Sequence, residues 1–258
     1  MSEFAISVVM PALNEEADIE RAVNETLSAF TALGIKGEIL IIDDGSTDQT
    51  GFLSDKMAQV NNGVRVIHHT NPRGIGASFW EGANAAKGDV VTMLPGDGEN
   101  DPLEILRYFP LMREVDIVIP FVYNVEVRGR HRRWISRLYK AIINLSFGML
   151  LNYMNGTVMY RRAVLQTLTL NSRGFFYQTE LLIKAIRMGF LYAEVPYALG
   201  SRTSGRSTAL TFKSFIKLSK DYLATVYNVY FQNRKRVSSY PNQCITAERR
   251  SNYATMDL

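Results

Sequence analysis

Two short stretches of this sequence gather carboxylates closely enough to share a ligand: Asp43 and Asp44 in "ILIIDDGSTDQT", and Asp97, Glu99 and Asp101 in "LPGDGENDP". Carboxylates at alternate positions of a turn can offer oxygens to one hard cation, which suits Mg2+ or Mn2+ with phosphate oxygens and water completing the shell. Gly, Asp and Asn are also ordinary turn formers, so "GDGEND" taken singly reads first as a solvated turn. The stretch "RGIGA" from Arg73 would let the backbone approach a phosphate, yet it lacks the lysine of a P-loop and the full dinucleotide fingerprint. His68, His69 and His131 have no metal-ligand spacing and read as structural or exposed, and Trp80 and Trp134 read as packing residues. The single cysteine, Cys244, excludes a disulfide framework and a thiolate metal cage, which makes a reducing, cytoplasmic setting the expectation.

The acids need elements to position them. Residues 5–10 form a β-branched run ending at Pro11, and "NEEADIERAVNETLSAFTAL" is an amphipathic helix with acids in its first turn. "GEILIID" and "GVRVIHHT" repeat the strand pattern, Ser46 to Thr50 could open a helix, "GIGASFWEGANAAKG" has the small residues of a helix close to a sheet, and "DVVTM" is a further strand. Strands alternating with helices over the first ~120 residues predict an α/β fold with a mostly parallel central sheet flanked by helices. In such sheets ligands collect beyond the carboxyl ends of the strands, where "PALNEE", "DDGSTD" and "PGDGEND" all fall.

With 258 residues, 47% hydrophobic and 21% charged, the chain can bury a substantial core, which excludes a disordered or collagen-like protein. Its net charge of +4 is unevenly spread. Residues 128–140, "RGRHRRWISRLYK", hold six Arg or Lys and no acid, and residues 201–258 hold ten basic against three acidic, leaving the remainder net negative. Such asymmetry points to partners on different faces, one of them anionic, although a solvated basic surface explains it too. The N-terminus lacks the basic region of a signal peptide, and residues 141–160 carry too many Asn and Gly for a membrane span, so a buried or interfacial segment is expected there. Residues 211–235 form an amphipathic helix with Lys213, Lys217 and Lys220 beside an apolar stripe, expected to dock on the core or on an anionic membrane surface. Residues 236–258 are polar and expected to be flexible.

Taken together, "VVMPALNEE", "ILIIDDGSTDQT", "NPRGIGASFWEGANAAKGD", "LPGDGENDP", "GTVMYRRAVL" and "GFFYQTELLIKAIRMGFLYAEVPYALGSRTSGRST" resemble, in order and spacing, the family 2 glycosyltransferases. Within them the chain is similar to the dolichyl-phosphate or polyprenyl-phosphate sugar synthase branch. The resemblance covers roughly residues 5–210. It implies a GT-A, Rossmann-like nucleotide-diphospho-sugar transferase fold, with a donor half over 1–120 and an acceptor half over 121–210. It also implies an inverting transfer of one sugar from a nucleotide-diphospho-sugar to a polyprenyl phosphate by a peripheral protein at the cytoplasmic membrane face. Transfer to a hydroxyl of a glycan or small molecule, and a non-catalytic nucleotide-sugar binding module, are the alternatives. No nucleic-acid motif is present, and a nucleic-acid partner is not expected.

By matching positions, the resemblance assigns Pro11, Asn14, Glu15 and Asp44 to the nucleoside, with Asp44 accepting from the base, places Arg73 near the donor phosphates, and counts Asp43 and Gly96 among the donor-binding residues. Asp97 matches the second aspartate of the family's Asp-X-Asp metal motif. Pro95 stands where the first would be, and Glu99 stands where many members have Gln. A carboxylate at 99 could replace the lost charge on Mg2+ or Mn2+; weak or absent metal dependence is the other outcome. Two anionic substrates repel each other, and bidentate arginine pairing offsets that cost. Arg128, Arg130, Arg202 and Arg206 are therefore the candidates for the acceptor phosphate, with Gln178 beside them. Asp97, Arg128, Arg202 and Glu180 make up the expected catalytic set, Glu180 serving as the base if the acceptor is a hydroxyl.

Overall fold

The computed structural model describes residues 4–124, 130–198, 212–232 and 240–256. Apolar runs that end in acids become strands: β1 (Ile6–Ala12), β2 (Gly37–Asp43), β3 (Val64–His68) and β4 (Val90–Met93). Between them lie α1 (Ile19–Leu33), α2 (Thr50–Val60) and α3 (Ile75–Ala85). The second half adds α4 (Pro102–Leu106), β5 (Ile117–Val122), α5 (Arg130–Phe147), β6 (Met159–Arg161), α6 (Arg162–Leu165), α7 (Tyr177–Arg187), β7 (Tyr192–Tyr197), α8 (Phe212–Tyr227) and α9 (Ile245–Met256). One seven-stranded sheet holds them in the order β3-β2-β1-β4-β6-β5-β7.

β3, β2, β1 and β4 run parallel, and β6 is antiparallel to both its neighbours, β4 and β5. Two reversals restore the direction, so β5 and its parallel neighbour β7 point the same way as β4. The carboxyl ends of β1, β2, β4 and β5 thus share one edge with the chain entering β6. Apolar side chains cover both faces of the sheet: Val9, Leu40, Ile42 and Val91 pack in one cluster, Val8, Ile39, Ile41 and Val90 in the other. This accounts for the near-continuous apolar strands. Gly82 explains the small residues of α3, because a Cβ there would lie 2.4 Å from Val9 Cγ1.

Two local readings change. The helix expected from Asn14 starts only at Ile19, because Asn14 has φ 57° and residues 14–16 bond to residues 46–50 instead. The polar tail, expected to be flexible, contains α9. Asp116, fully buried, accepts from the backbone N–H of Ile245 at 2.7 Å and of Thr246 at 3.0 Å, from the Thr246 hydroxyl, and from Arg161 Nε at 3.2 Å. A single carboxylate thereby satisfies two of the open N–H groups at the start of a helix 129 residues away in sequence.

Removing that carboxylate leaves the Arg161 guanidinium and the first turn of α9 without their partner. Asp116→Ala is expected to cost about 3–5 kcal/mol, the usual effect of breaking a buried charged pair, measured by urea denaturation. A loss under about 1 kcal/mol would show that α9 contributes little to the fold.

Candidate active site

Loops after β1 and β2 are joined before any ligand arrives. Asn14 N–H donates to Ser46 Oγ at 3.0 Å, Thr47 N–H donates to Asn14 Oδ1 at 2.9 Å, and Glu15 N–H donates to Thr50 Oγ1 at 2.8 Å. Pro11 stays inside β1 opposite Ile42, and its carbonyl accepts from Gly96 N–H at 2.9 Å, which brings in the acidic turn after β4. Gly96 also leaves room for α1: a Cβ there would stand 2.8 Å from the tip of the Ile19 side chain, Cδ1. Arg21 of α1 holds the far side of the turn, donating to the Gly98 carbonyl at 3.2 Å while pairing with Asp18 at 2.5 Å.

The paired aspartates after β2 are buried and mostly engaged by protein groups. Burial pushes the Asp43 carboxyl up, but hydrogen bonds from Ser46 N–H at 3.0 Å and His68 Nδ1 at 2.9 Å outweigh it and hold Asp43 below the ordinary aspartate value. Asp44 Oδ1 accepts from Arg73 N–H at 2.8 Å and meets His69 Nδ1 at 2.6 Å; Oδ2 accepts from Gly74 N–H at 2.8 Å. Its principal work here is to hold the loop into α3. A carboxylate has about four acceptor positions, so these three bonds leave one, on Oδ2. His69 also reaches Glu81 at 2.9 Å, and Glu81 pairs with Arg73 at 2.9 Å. The half-exposed Arg73 is therefore tethered beside the Gly-rich loop.

Glu15, Asp97 and Glu99 converge. Burial, then the negative charges of Asp97, Asp18, Asp48 and Glu99, push the Glu15 carboxyl up to about 7. Asp97 Oδ1 accepts from Glu99 N–H at 3.0 Å, which shapes the turn. The crowding of carboxylates around Glu15 is the electrostatic condition that a divalent cation relieves, and an all-oxygen donor set fits Mg2+ or Mn2+. Among the described residues no three His, Cys, Asp or Glu side chains already form a metal cage. Mg2+ commonly takes only one or two carboxylates and completes its shell with substrate phosphates and water.

The acceptor half departs further from expectation. Glu180 is fully buried on α7, bonded to Lys184 Nζ at 2.6 Å and to the N–H groups of Asn171 at 3.1 Å and Ser172 at 2.9 Å. That arrangement makes it the anchor of a loop and not an accessible base. Gln178 is also buried. Arg128, Arg202 and Arg206 lie outside the described residues, as does the side chain of Arg130 at the start of α5. Trp80 packs against the core as expected, whereas Trp134 does not: it is exposed.

Sequence reasoning missed a pocket of about 260 Å³ between α5 and the chain leading into β6. Arg133, Arg137 and Lys140 line it from α5, with Tyr139, Tyr153 and Asn155 among the other walls. Tyr139 hydroxyl meets Thr179 Oγ1 at 2.8 Å, which donates to Asn155 Oδ1 at 3.1 Å; burial pushes the phenol up to about 12, so Tyr139 stays neutral. The three cations form no salt bridge among the described residues. Nearby in sequence, the buried Thr157 Oγ1 has no hydrogen-bond partner among the described residues. The available signal was the acid-free basic run, whose residues 133, 137 and 140 share a helix face by their spacing.

Comparison with known proteins matches this arrangement to the glycosyltransferases. Residues 7–169 match the model of Glycosyl transferase family 2, and the chain belongs to that family. It is 29% identical over 213 residues to the polyprenol monophosphomannose synthase of Mycolicibacterium smegmatis, covering 78% of this chain and 79% of that one. It is 30% identical over 166 residues to the undecaprenyl-phosphate 4-deoxy-4-formamido-L-arabinose transferase of Pseudomonas paraeruginosa, covering 63% of this chain and about half (49%) of the relative. Among solved structures, glucosyl-3-phosphoglycerate synthase from Mycobacterium tuberculosis superposes with a TM-score of 0.62 at 25% identity, covering 88% of this chain and 80% of that one. The fold is thus the expected GT-A type. The synthase was also crystallised with Mn2+ and UDP.

The raised Glu15 carboxyl gives a pH signature. A group whose folded pKa lies above its unfolded value of 4.5 costs the fold nothing while both states are protonated; the cost grows as pH rises from 4.5 to about 7 and is constant above that. In EDTA the melting temperature of the protein should fall more steeply from pH 5 to pH 8 than that of Glu15→Gln. Mn2+ should flatten the wild-type curve. Parallel curves for the two proteins would remove Glu15 from the acidic centre.

Proposed function

We propose that the protein transfers one sugar, with inversion, from a nucleotide-diphospho-sugar to a polyprenyl phosphate at the cytoplasmic membrane face. The observation that carries this reading is the basic pocket under α5. It opens on the same sheet edge as the donor loops, because Val122 at the end of β5 and Asn152–Asn155 before β6 line it. A phosphate monoester suits three cations in a pocket of this size, since charge-assisted bonds to phosphate are the stronger class of hydrogen bond. The names of the two relatives, a polyprenol and an undecaprenyl-phosphate enzyme, support the same acceptor.

The chemistry needs positioning more than a base. An acceptor phosphate oxygen is already ionised at neutral pH; it attacks the anomeric carbon as the bond to the nucleoside diphosphate breaks, and no proton has to move. Asn14, Asp44 and the loop at Arg73 hold the nucleotide; Arg133, Arg137 and Lys140 hold the attacking phosphate. Asp97 and Glu99 would hold a divalent cation, whose charge would stabilise the departing diphosphate. Burial of Glu180 in its ion pair with Lys184 counts against transfer to an unactivated hydroxyl, because the one base considered for that reaction is occupied.

The test is transfer of radiolabelled sugar from UDP- and GDP-sugars into a polyprenyl phosphate, with phosphoglycerate as the competing hydroxyl acceptor. Label should enter the lipid phosphate, and Arg133→Ala or Arg137→Ala should raise the acceptor KM about tenfold while nucleotide binding is kept. Label entering phosphoglycerate alone would overturn the acceptor assignment. Nucleotide binding without turnover on any acceptor would leave a binding module.

A further inference from the structure

Glu180 and the backbone of the Gly-rich loop are two features that the proposed chemistry leaves without a task. Both belong to one contact. The N–H groups of Arg73 and Gly74 donate to the two oxygens of Asp44, and that of Gly76 donates to the Arg173 carbonyl at 3.0 Å. The space beside the glycines is filled as well: a Cβ at Gly74 would stand 2.7 Å from the Arg173 carbonyl oxygen, and one at Gly76 would stand 2.7 Å from that of Ser172. Carbonyl oxygens accept hydrogen bonds and repel an anion, so these glycines admit a segment of the chain where the sequence pattern suggested a phosphate. Contact with donor phosphates from this loop falls to the Arg73 side chain.

The segment that fills the loop is held from behind by a buried ion pair. Glu180 on α7 accepts from the N–H groups of Asn171 at 3.1 Å and Ser172 at 2.9 Å. Lys184, one turn on, donates to Glu180 at 2.6 Å and to the Thr169 carbonyl at 2.6 Å. Both side chains are buried. A buried ion pair adds little net stability over apolar side chains of the same size, which leaves fixed geometry as its contribution here. α7 also meets α3 directly, since the rings of Tyr177 and Phe79 lie 5.2 Å apart.

We infer that Glu180, paired with Lys184, is a positioning residue for the donor side of the reaction: through residues 171–173 it fixes the Gly-rich loop, and through that loop the reach of Arg73 towards the donor phosphates. The inference rests on the nucleotide assignment of the proposed function, and it gives an acid of the acceptor half a role in donor binding. Arg73 has little slack to absorb a displacement. Its N–H is held by Asp44 and its guanidinium by Glu81 at 2.9 Å, so a shift of the loop backbone carries the guanidinium with it, while its remaining N–H donors stay available to a phosphate.

The test is calorimetric titration of the full chain with UDP and with GDP, each in Mn2+. Arg73→Ala should weaken binding of whichever nucleotide the wild type takes by about tenfold, the effect of losing one charge-assisted bond to phosphate. Glu180→Gln with Lys184→Met removes both charges together, so no ammonium is stranded, and should weaken binding by a comparable factor. Combining it with Arg73→Ala should add less than about twofold, because both changes remove the same contact, whereas a packing defect elsewhere would multiply the two losses. Gly76→Ala presses on the Ser172 carbonyl from the other side and leaves the ion pair alone; it should give the same loss and the same non-additivity even where the pair variant fails to fold. Wild-type affinity in Arg73→Ala, in the folded pair variant or in Gly76→Ala, or losses that multiply, would each overturn the inference. A wild type that binds neither nucleotide would overturn it together with the donor assignment. The expected coupling in a protein that transfers no sugar to polyprenyl phosphate would sustain the inference and overturn the proposed function instead.

Discussion

The site depends on strand direction. Because β6 runs against both β4 and β5, the first four strands and β5 all release their chains at one edge of the sheet. Had β6 been parallel to β4 and antiparallel to β5, the pocket under α5 would open on the far side, away from the acidic turn. Every other feature adjusts within that constraint. Gly82 lets α3 sit close on β1, and Gly96 lets the turn after β4 approach the loop after β1.

Along that edge the charges separate into two regions of opposite sign. Glu15, Asp97 and Glu99 crowd one end strongly enough to keep Glu15 from ionising at its normal pH. Arg133, Arg137 and Lys140 hold the other without carboxylate partners among the described residues. Like charges gathered without partners of the other sign repel one another, by less where solvent screens them. Under the proposed function each region would meet a ligand of the opposite sign: a cation with the donor at one end, a phosphate at the other. A stretch selected for stability alone would interleave the two signs, as Arg21 does with Asp18 and Glu25 on α1.

Much of this was legible in the sequence, for reasons that differ by element. The four parallel strands announced themselves because a strand buried on both faces is apolar throughout and ends abruptly at polar residues. The start of α1 did not, because side chains from the next loop compete for the N–H groups of residues 14–16, and a one-dimensional pattern carries no trace of that competition. Glu180 failed for a related reason: its role is set by Lys184 one turn on and by backbone at 171–172, and a carboxylate in a helix looks the same whether it faces a cleft or a core. α9 was invisible because its capping carboxylate, Asp116, lies in the middle of the chain. The basic run on α5 was visible as charge, yet its division into a pocket face and an apolar face emerged only with the burial of Ile143 and Phe147.

Pro95 is the point where the chain departs most from the pattern its other loops follow, and the structure gives a physical account of how the departure is tolerated. A proline at the close of β4 has no N–H to lose from the ladder and removes one carboxylate from the turn. Glu15, from the loop after β1, faces Asp97 and Glu99 there, and burial together with their charges pushes its carboxyl up to about 7. The carboxylate set is thereby split between the segments after β1 and β4, joined by the Gly96 to Pro11 hydrogen bond. Carboxylates drawn from two loops move with both: whatever shifts the loop at Asn14 also shifts Glu15 against Asp97 and Glu99.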